Sequence, residues 1–137
     1  MASGEDRAQV VSSNAKPAAM VLFLHGLFLG FCGCYGAHSH GWAKEVMHSA
    51  YAGMGSCSAL AVCAALTGAG SRKLTVIGVH VGMLLQLLFS GVFAMQAKKS
   101  YGDPKKADRF GLFVVMCLGS VTGLSGVLVC KPKKKKE

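Results

Sequence analysis

Four stretches of the chain contain no Asp, Glu, Lys or Arg: Pro17–Ala43, Val46–Ser71, Leu74–Ala97 and Phe110–Cys130. Each is longer than the roughly 18–20 residues that a helix needs to cross a hydrocarbon layer about 30 Å thick. A water-soluble bundle would need charged outer helix faces, and these stretches have none to offer. A transmembrane β-barrel would alternate apolar and polar residues over segments of about 10 residues, and no segment here does so. The pattern predicts an all-α integral membrane bundle of four transmembrane helices with short loops.

The helices are expected at about Ala18–Gly36, Val46–Ala69, Leu74–Ala97 and Phe110–Cys130. The chain then divides into a flexible N-terminal segment (1–16), a four-helix transmembrane domain (17–130) and a basic C-terminal tail (131–137). Pro17 suits the first turn of helix 1, and Gly102, Asp103 and Pro104 suit a turn before helix 4. The first apolar run has span length, so it reads as an uncleaved first span rather than a signal peptide, and the acidic residues ahead of it argue against a transit peptide. Helix 2 is the least apolar span, and a version in which it lies partly in the interface stays open.

The net charge of +9 is concentrated next to the spans, with five basic residues after Cys130 and five between Lys98 and Arg109. That placement suits anionic lipid headgroups at Lys98, Lys99, Lys105, Lys106 and the lysines of 131–136. No basic face with interleaved aromatics is present, so nucleic acid is not expected as a partner. The rule that basic loops stay inside favours both termini, with Arg72 and Lys73, on the cytosolic or matrix side. Tyr35, Trp42 and Tyr101 fall on the opposite side. Lys134, Lys135 and Lys136 before Glu137 match a dilysine endoplasmic-reticulum retrieval signal in form, and read more simply as an electrostatic anchor.

Small residues four apart share a helix face and let backbones approach closely in lipid. Gly26/Gly30, Gly78/Gly82 and Gly119/Gly123 form such pairs, and helix 2 has the looser Ser49/Gly53. These positions read as a packing code for a compact bundle. The competing reading, that the glycines leave room for a ligand, stays open.

His25 and His80 are the candidate ligand-binding residues, with Gln86 near the middle of helix 3. Counted from the expected helix starts, both histidines lie about seven residues, or roughly 10 Å, inside the same half of the bilayer. They are expected to meet at one depth, either flanking a polar cavity or bonding across helices. Gln86 reads as an interhelical hydrogen bond. Cys32, Cys34, His38 and His40 cluster at the exit of helix 1, but their spacing does not fit a standard zinc site, and no metal or cofactor is expected. No span holds a carboxylate, and no nucleotide-binding loop, nucleophile elbow or HExxH occurs. Catalytic residues are therefore expected to be absent.

Three short motifs carry a likeness to a known family. They are Gly33-Cys34-Tyr35-Gly36 at the end of helix 1, Ser49-Ala50-Tyr51-Ala52-Gly53 in helix 2, and Ser90-Gly91-Val92-Phe93-Ala94-Met95 ahead of Lys98-Lys99-Ser100. Over Leu24 to Leu128 the chain resembles the transmembrane protein 14 family, which includes the plastid fatty-acid exporters. The family's Met-Pro-Ala-Gly entry to helix 4 is replaced here by Asp103-Pro104-Lys105-Lys106. The resemblance implies a small carrier for an amphiphile, of fatty-acid or porphyrin-precursor type, in an organelle membrane. A mitochondrial membrane comes first, with plastid and endoplasmic reticulum as alternatives. The second expectation is a non-catalytic accessory subunit of a larger membrane complex, and a homo-oligomer is also open.

Overall fold

The computed structural model of the protein describes residues 4–44 and 46–130, with side chains from residue 15 onward. Four helices follow one another: α1 (Gly4–Ser39), α2 (Met47–Thr67), α3 (Arg72–Ser100) and α4 (Ala107–Cys130), with a short 3-10 turn at Pro104–Lys106 before α4. All four are long and apolar enough to cross a membrane, over Ala15–Ser39, Met47–Thr67, Arg72–Ser100 and Pro104–Cys130. The expected all-α, four-span membrane bundle is the observed architecture. The basic tail and its retrieval-like lysines lie outside the described residues.

The element boundaries differ from expectation in an instructive way. Helix α1 begins at Gly4 instead of after Pro17, so the proline sits inside it. Between Gly4 and Pro17 the sequence has no further glycine or proline to end a helix. Helix α3 extends over charged residues at both ends, from Arg72 to Ser100. The appearance of charge marks where the apolar layer ends, whereas a helix continues until its backbone is redirected.

Those redirections are visible at each corner. After α1 the chain enters left-handed geometry at Gly41 (φ 65°) and Trp42 (φ 57°), and the Gly41 and Trp42 amides donate to the His38 and Ala37 carbonyls. A non-glycine residue at positive φ is uncommon. Trp42 is exposed there, on the same side as exposed Tyr35 and Tyr101, as an aromatic belt requires. The α2–α3 corner turns at Gly70 (φ 80°) and is tied by Thr75 Oγ1, which donates to the Thr67 carbonyl at 3.0 Å. Before α4, Gly102 (φ 85°) turns the chain and Asp103 Oδ1 accepts from the Lys105 amide at 3.0 Å.

Each helix packs against the next, and α4 returns to α1, which gives an up-down-up-down ring. The most extensive contacts join α1 to α2 and α3 to α4, so the bundle is two tight hairpins laid together. Leu22, Leu29, Leu60, Val79, Phe93, Met116 and Val127 are buried between them. Within the spanning windows 44% of α1 is buried but only 17% of α4. Long apolar side chains cover the outer surfaces of α3 and α4, where lipid is the solvent.

The small residues act where the sequence placed them. A Cβ on Gly33 would stand 2.8 Å from the Gly53 Cα and 2.7 Å from the Ser49 carbonyl oxygen. Gly26 and Gly30 face Cys57, Gly78 faces Thr67 and Cys63, and Gly82 faces Leu22. On α4, Gly119 lies against the Phe28 ring, and Gly123 lies against His25 and Gln86. Helix α2 is a full 21-residue element packed mainly on α1. Its low apolarity reflects its use of Ala, Gly, Ser and Cys for close backbone approach.

Candidate functional site

The polar residues of the interior converge at one place. The His25 Nδ1 lies 2.9 Å from the Gln86 Nε2, and its Nε2 lies 3.2 Å from the Ser120 Oγ. The imidazole of α1 is thus held between the carboxamide of α3 and the hydroxyl of α4. In the recorded arrangement the Gln86 amide donates to Nδ1, and the Nε2–H of a neutral ring donates to Ser120. His25 is 5% exposed, and Gln86 and Ser120 are 0% exposed.

Each member is placed by the core stripe of its helix. On α1 the buried positions Ala18, Leu22, His25, Leu29 and Cys32 recur at three- and four-residue spacing. On α3 the buried positions Val79, Gly82, Gln86 and Phe93 share one face at spacings of three, four and seven. On α4 they are Met116, Ser120 and Val127. Gln86 is at the centre of α3, Ser120 is at the centre of the apolar stretch Phe110–Cys130, and His25 is within two residues of the centre of Ala15–Ser39. The three groups therefore lie near the middle of the membrane. Gly123 makes their meeting possible, since a Cβ there would be 2.9 Å from the His25 Nδ1 and 3.0 Å from the Gln86 Nε2.

The network is incomplete. The Oε1 atom of Gln86 is buried without a hydrogen-bond partner. An orphaned buried acceptor costs about 1–3 kcal/mol, and no water is available in a bilayer core to relieve it. The site also lies between the two hairpins, with His25 in one and Gln86 and Ser120 in the other. Parting the hairpins would expose three polar groups along one line.

His80 is not part of this site, which corrects the expected pairing of His25 with His80. It is exposed on the outward face of α3, with Nδ1 2.7 Å from the carbonyl oxygen of Val76. The flanking Gly78 and Gly82 face α2 and α1, and a residue two positions from each points to the other side of the helix. The depths differ as well. Because His25 is level with Gln86, His80 is six residues, or about 9 Å, nearer the α3 start. The expectation counted depth from apolar boundaries, and α1 begins well before its boundary.

Ser120 was not singled out from the sequence. The signal was present, since Ser120 is enclosed by Gly119 and Gly123 at the middle of the fourth apolar stretch. A hydroxyl on a glycine-lined face has a neighbouring helix within reach. The cysteines and histidines at the end of α1 are dispersed: Cys32 is buried, His38 is exposed, and the His40 Nδ1 lies 3.0 Å from the Gly36 carbonyl oxygen. Among the described residues no group of three or more His, Cys, Asp or Glu comes together in a way that would hold a metal ion.

Comparison with protein-family models, curated protein sequences and solved structures finds no match for this chain.

Proposed function

We propose that this protein facilitates the movement of an amphiphilic small molecule, with an acidic or hydroxylic head, across an organelle membrane. The observation that carries the reading is the unpaired Gln86 Oε1 at mid-membrane, beside His25 and Ser120, on the contact between two hairpins. A head group passing along that contact would give Gln86 the donor it lacks. Its apolar tail would remain among the outer faces of the helices. Fatty acids and porphyrin precursors have the required chemistry, and they are the cargo that the likeness to the transmembrane protein 14 family implies. On this reading the protein is not an enzyme, and anionic headgroups at Lys98, Lys99, Lys105 and Lys106 hold its α3–α4 end in register. A mitochondrial membrane is the first setting to test, by imaging the tagged chain.

The functional test is flux into proteoliposomes of a fluorescent dicarboxylate porphyrin, and of a long-chain fatty acid above its spontaneous rate. The intact protein should accelerate at least one of them. Gln86→Leu and His25→Ala should abolish the acceleration while retaining helical content. No protein-dependent flux of either class, or full flux through both variants, would overturn the proposal.

A further inference from the structure

The outward face of α3 presents a hydrogen-bond acceptor to lipid. The His80 Nδ1 lies 2.7 Å from the Val76 carbonyl oxygen. A carbonyl only accepts, so Nδ1 carries a proton, and in the neutral ring Nε2 carries a bare lone pair. His80 is six residues, about 9 Å, inside the apolar stretch that starts at Leu74. Acyl chains offer no donor there, and polar ionisable groups at such depth face a partner.

The same face carries a helix-pairing pattern. Ile77, His80, Leu84, Leu87 and Gly91 are all exposed and alternate in steps of three and four, the spacing of a seam between two helices. Helix α4 has a second exposed seam with that spacing: Gly111, Val115, Leu118, Thr122 and Ser125. Nothing lies within 4 Å of a Cβ built on Gly91 or on Gly111.

The two seams can be placed on one depth scale. The Cys117 thiol donates to the Ser90 carbonyl at 3.6 Å, so these residues are level. Because α3 and α4 run antiparallel, each step back along α3 corresponds to one step forward along α4. On that scale Ser125 is within about 3 Å of the depth of His80. Thr122 matches Leu84, Val115 matches Gly91 and Gly111 matches Met95, each within about 2 Å. Hydroxyls thus fall level with the bare acceptor and its neighbour. Each open glycine falls level with a large side chain on the other seam.

We propose that the protein self-associates head-to-tail in the membrane plane, with α3 of one copy lying antiparallel against α4 of the next. The Ser125 hydroxyl of the second copy donates to the His80 Nε2, and Val115 and Met95 pack over Gly91 and Gly111. A two-fold contact of α3 with α3 is disfavoured, because it would bring two bare Nε2 lone pairs face to face. A head-to-tail contact uses two different faces, so it repeats until it closes a ring or extends.

Two differently tagged copies, one carrying Leu84→Cys and the other Thr122→Cys, are co-reconstituted and oxidised, with the parent protein as the background from native cysteines. Cross-linking between tags is expected only in the mixture, with each variant alone remaining at the parent level. Self-cross-linking of Leu84→Cys, or a mixture no different from the parent, overturns the proposal. Gly91→Leu and Gly111→Leu place their side chains in open space in the single copy, so helical content and melting of the single copy should not fall. Oligomer stability should nevertheless fall about tenfold or more, read as mass in nanodiscs. A monomeric parent, an unchanged oligomer in both glycine variants, or a parent that engages a different membrane protein through this face also overturns it.

Discussion

Gly33→Ala should destabilise the bundle, whereas Gly55→Ala on the neighbouring helix should not. At Gly33 the added Cβ would stand 2.7 Å from the Ser49 carbonyl oxygen, 2.8 Å from the Gly53 Cα and 3.2 Å from the Gly53 nitrogen, where ordinary contact begins at 3.4 Å. All three atoms are backbone, so no rotamer change relieves the clash, and α2 must retreat by about 0.5–1 Å. A gap of that size forfeits about a quarter to a half of each dispersion contact along the seam. The Ser49 hydroxyl, already 3.4 Å from the Gly33 carbonyl, loses its bond as well. Forced overpacking of this kind costs about 1–3 kcal/mol. Gly55 has nothing within 4 Å of its Cβ position, and alanine is the better helix former by up to about 1 kcal/mol. Reversible unfolding in mixed micelles, followed by circular dichroism, measures both. The two substitutions should move stability in opposite directions. Equal effects, or a neutral Gly33→Ala, would refute close backbone approach as what holds α1 to α2.

Gly123→Ala should separate His25 from Gln86 and reduce flux to the level of Gln86→Leu, at a cost of about 1–3 kcal/mol in micelle unfolding. Thr75→Val removes the hydroxyl that ties α3 to the Thr67 carbonyl, and should cost about 1 kcal/mol in the same assay, with no change in flux. Replacing Lys98, Lys99, Lys105 and Lys106 together by Gln should weaken retention of anionic lipid through purification, read by mass spectrometry, by about 1 kcal/mol per lysine at most. Lys106 also pairs with Asp103 at 3.7 Å, with both side chains substantially exposed. That pair should contribute no more than about 1 kcal/mol to stability.

The parts of the fold legible in the sequence are those set by composition and by face. Charge-free length gave the number of spans, and small residues four apart gave helix contacts, such as those of Gly26 and Gly30 with Cys57 and of Gly78 with Thr67. The site was legible only in its members. His25 and Gln86 were both found, but their meeting depends on which stripe of α3 faces inward. Glycines at Gly78 and Gly82 drew His80 into the same picture, although residues two apart on a helix point in opposed directions. The depth error had a different cause. A helix does not begin where apolarity begins, and α1 extends back to Gly4. Ser120 was missed because a serine among glycines looks like another small packing residue until a histidine is placed opposite it. Its 3.2 Å contact with His25 is what gives it a role.

The central claim is that Gln86, buried with one carboxamide end unpaired, is the group that a passing head group engages. The most direct measurement is nuclear magnetic resonance of the Gln86 side-chain amide and the His25 ring nitrogens in nanodiscs, titrated with a dicarboxylate porphyrin or a long-chain fatty acid. Saturable shifts at both residues, with the His25 shift lost in Gln86→Leu, are the predicted result. Shifts confined to lipid-facing residues such as Leu84 and Leu118, with Gln86 and His25 unmoved at saturation, would contradict it.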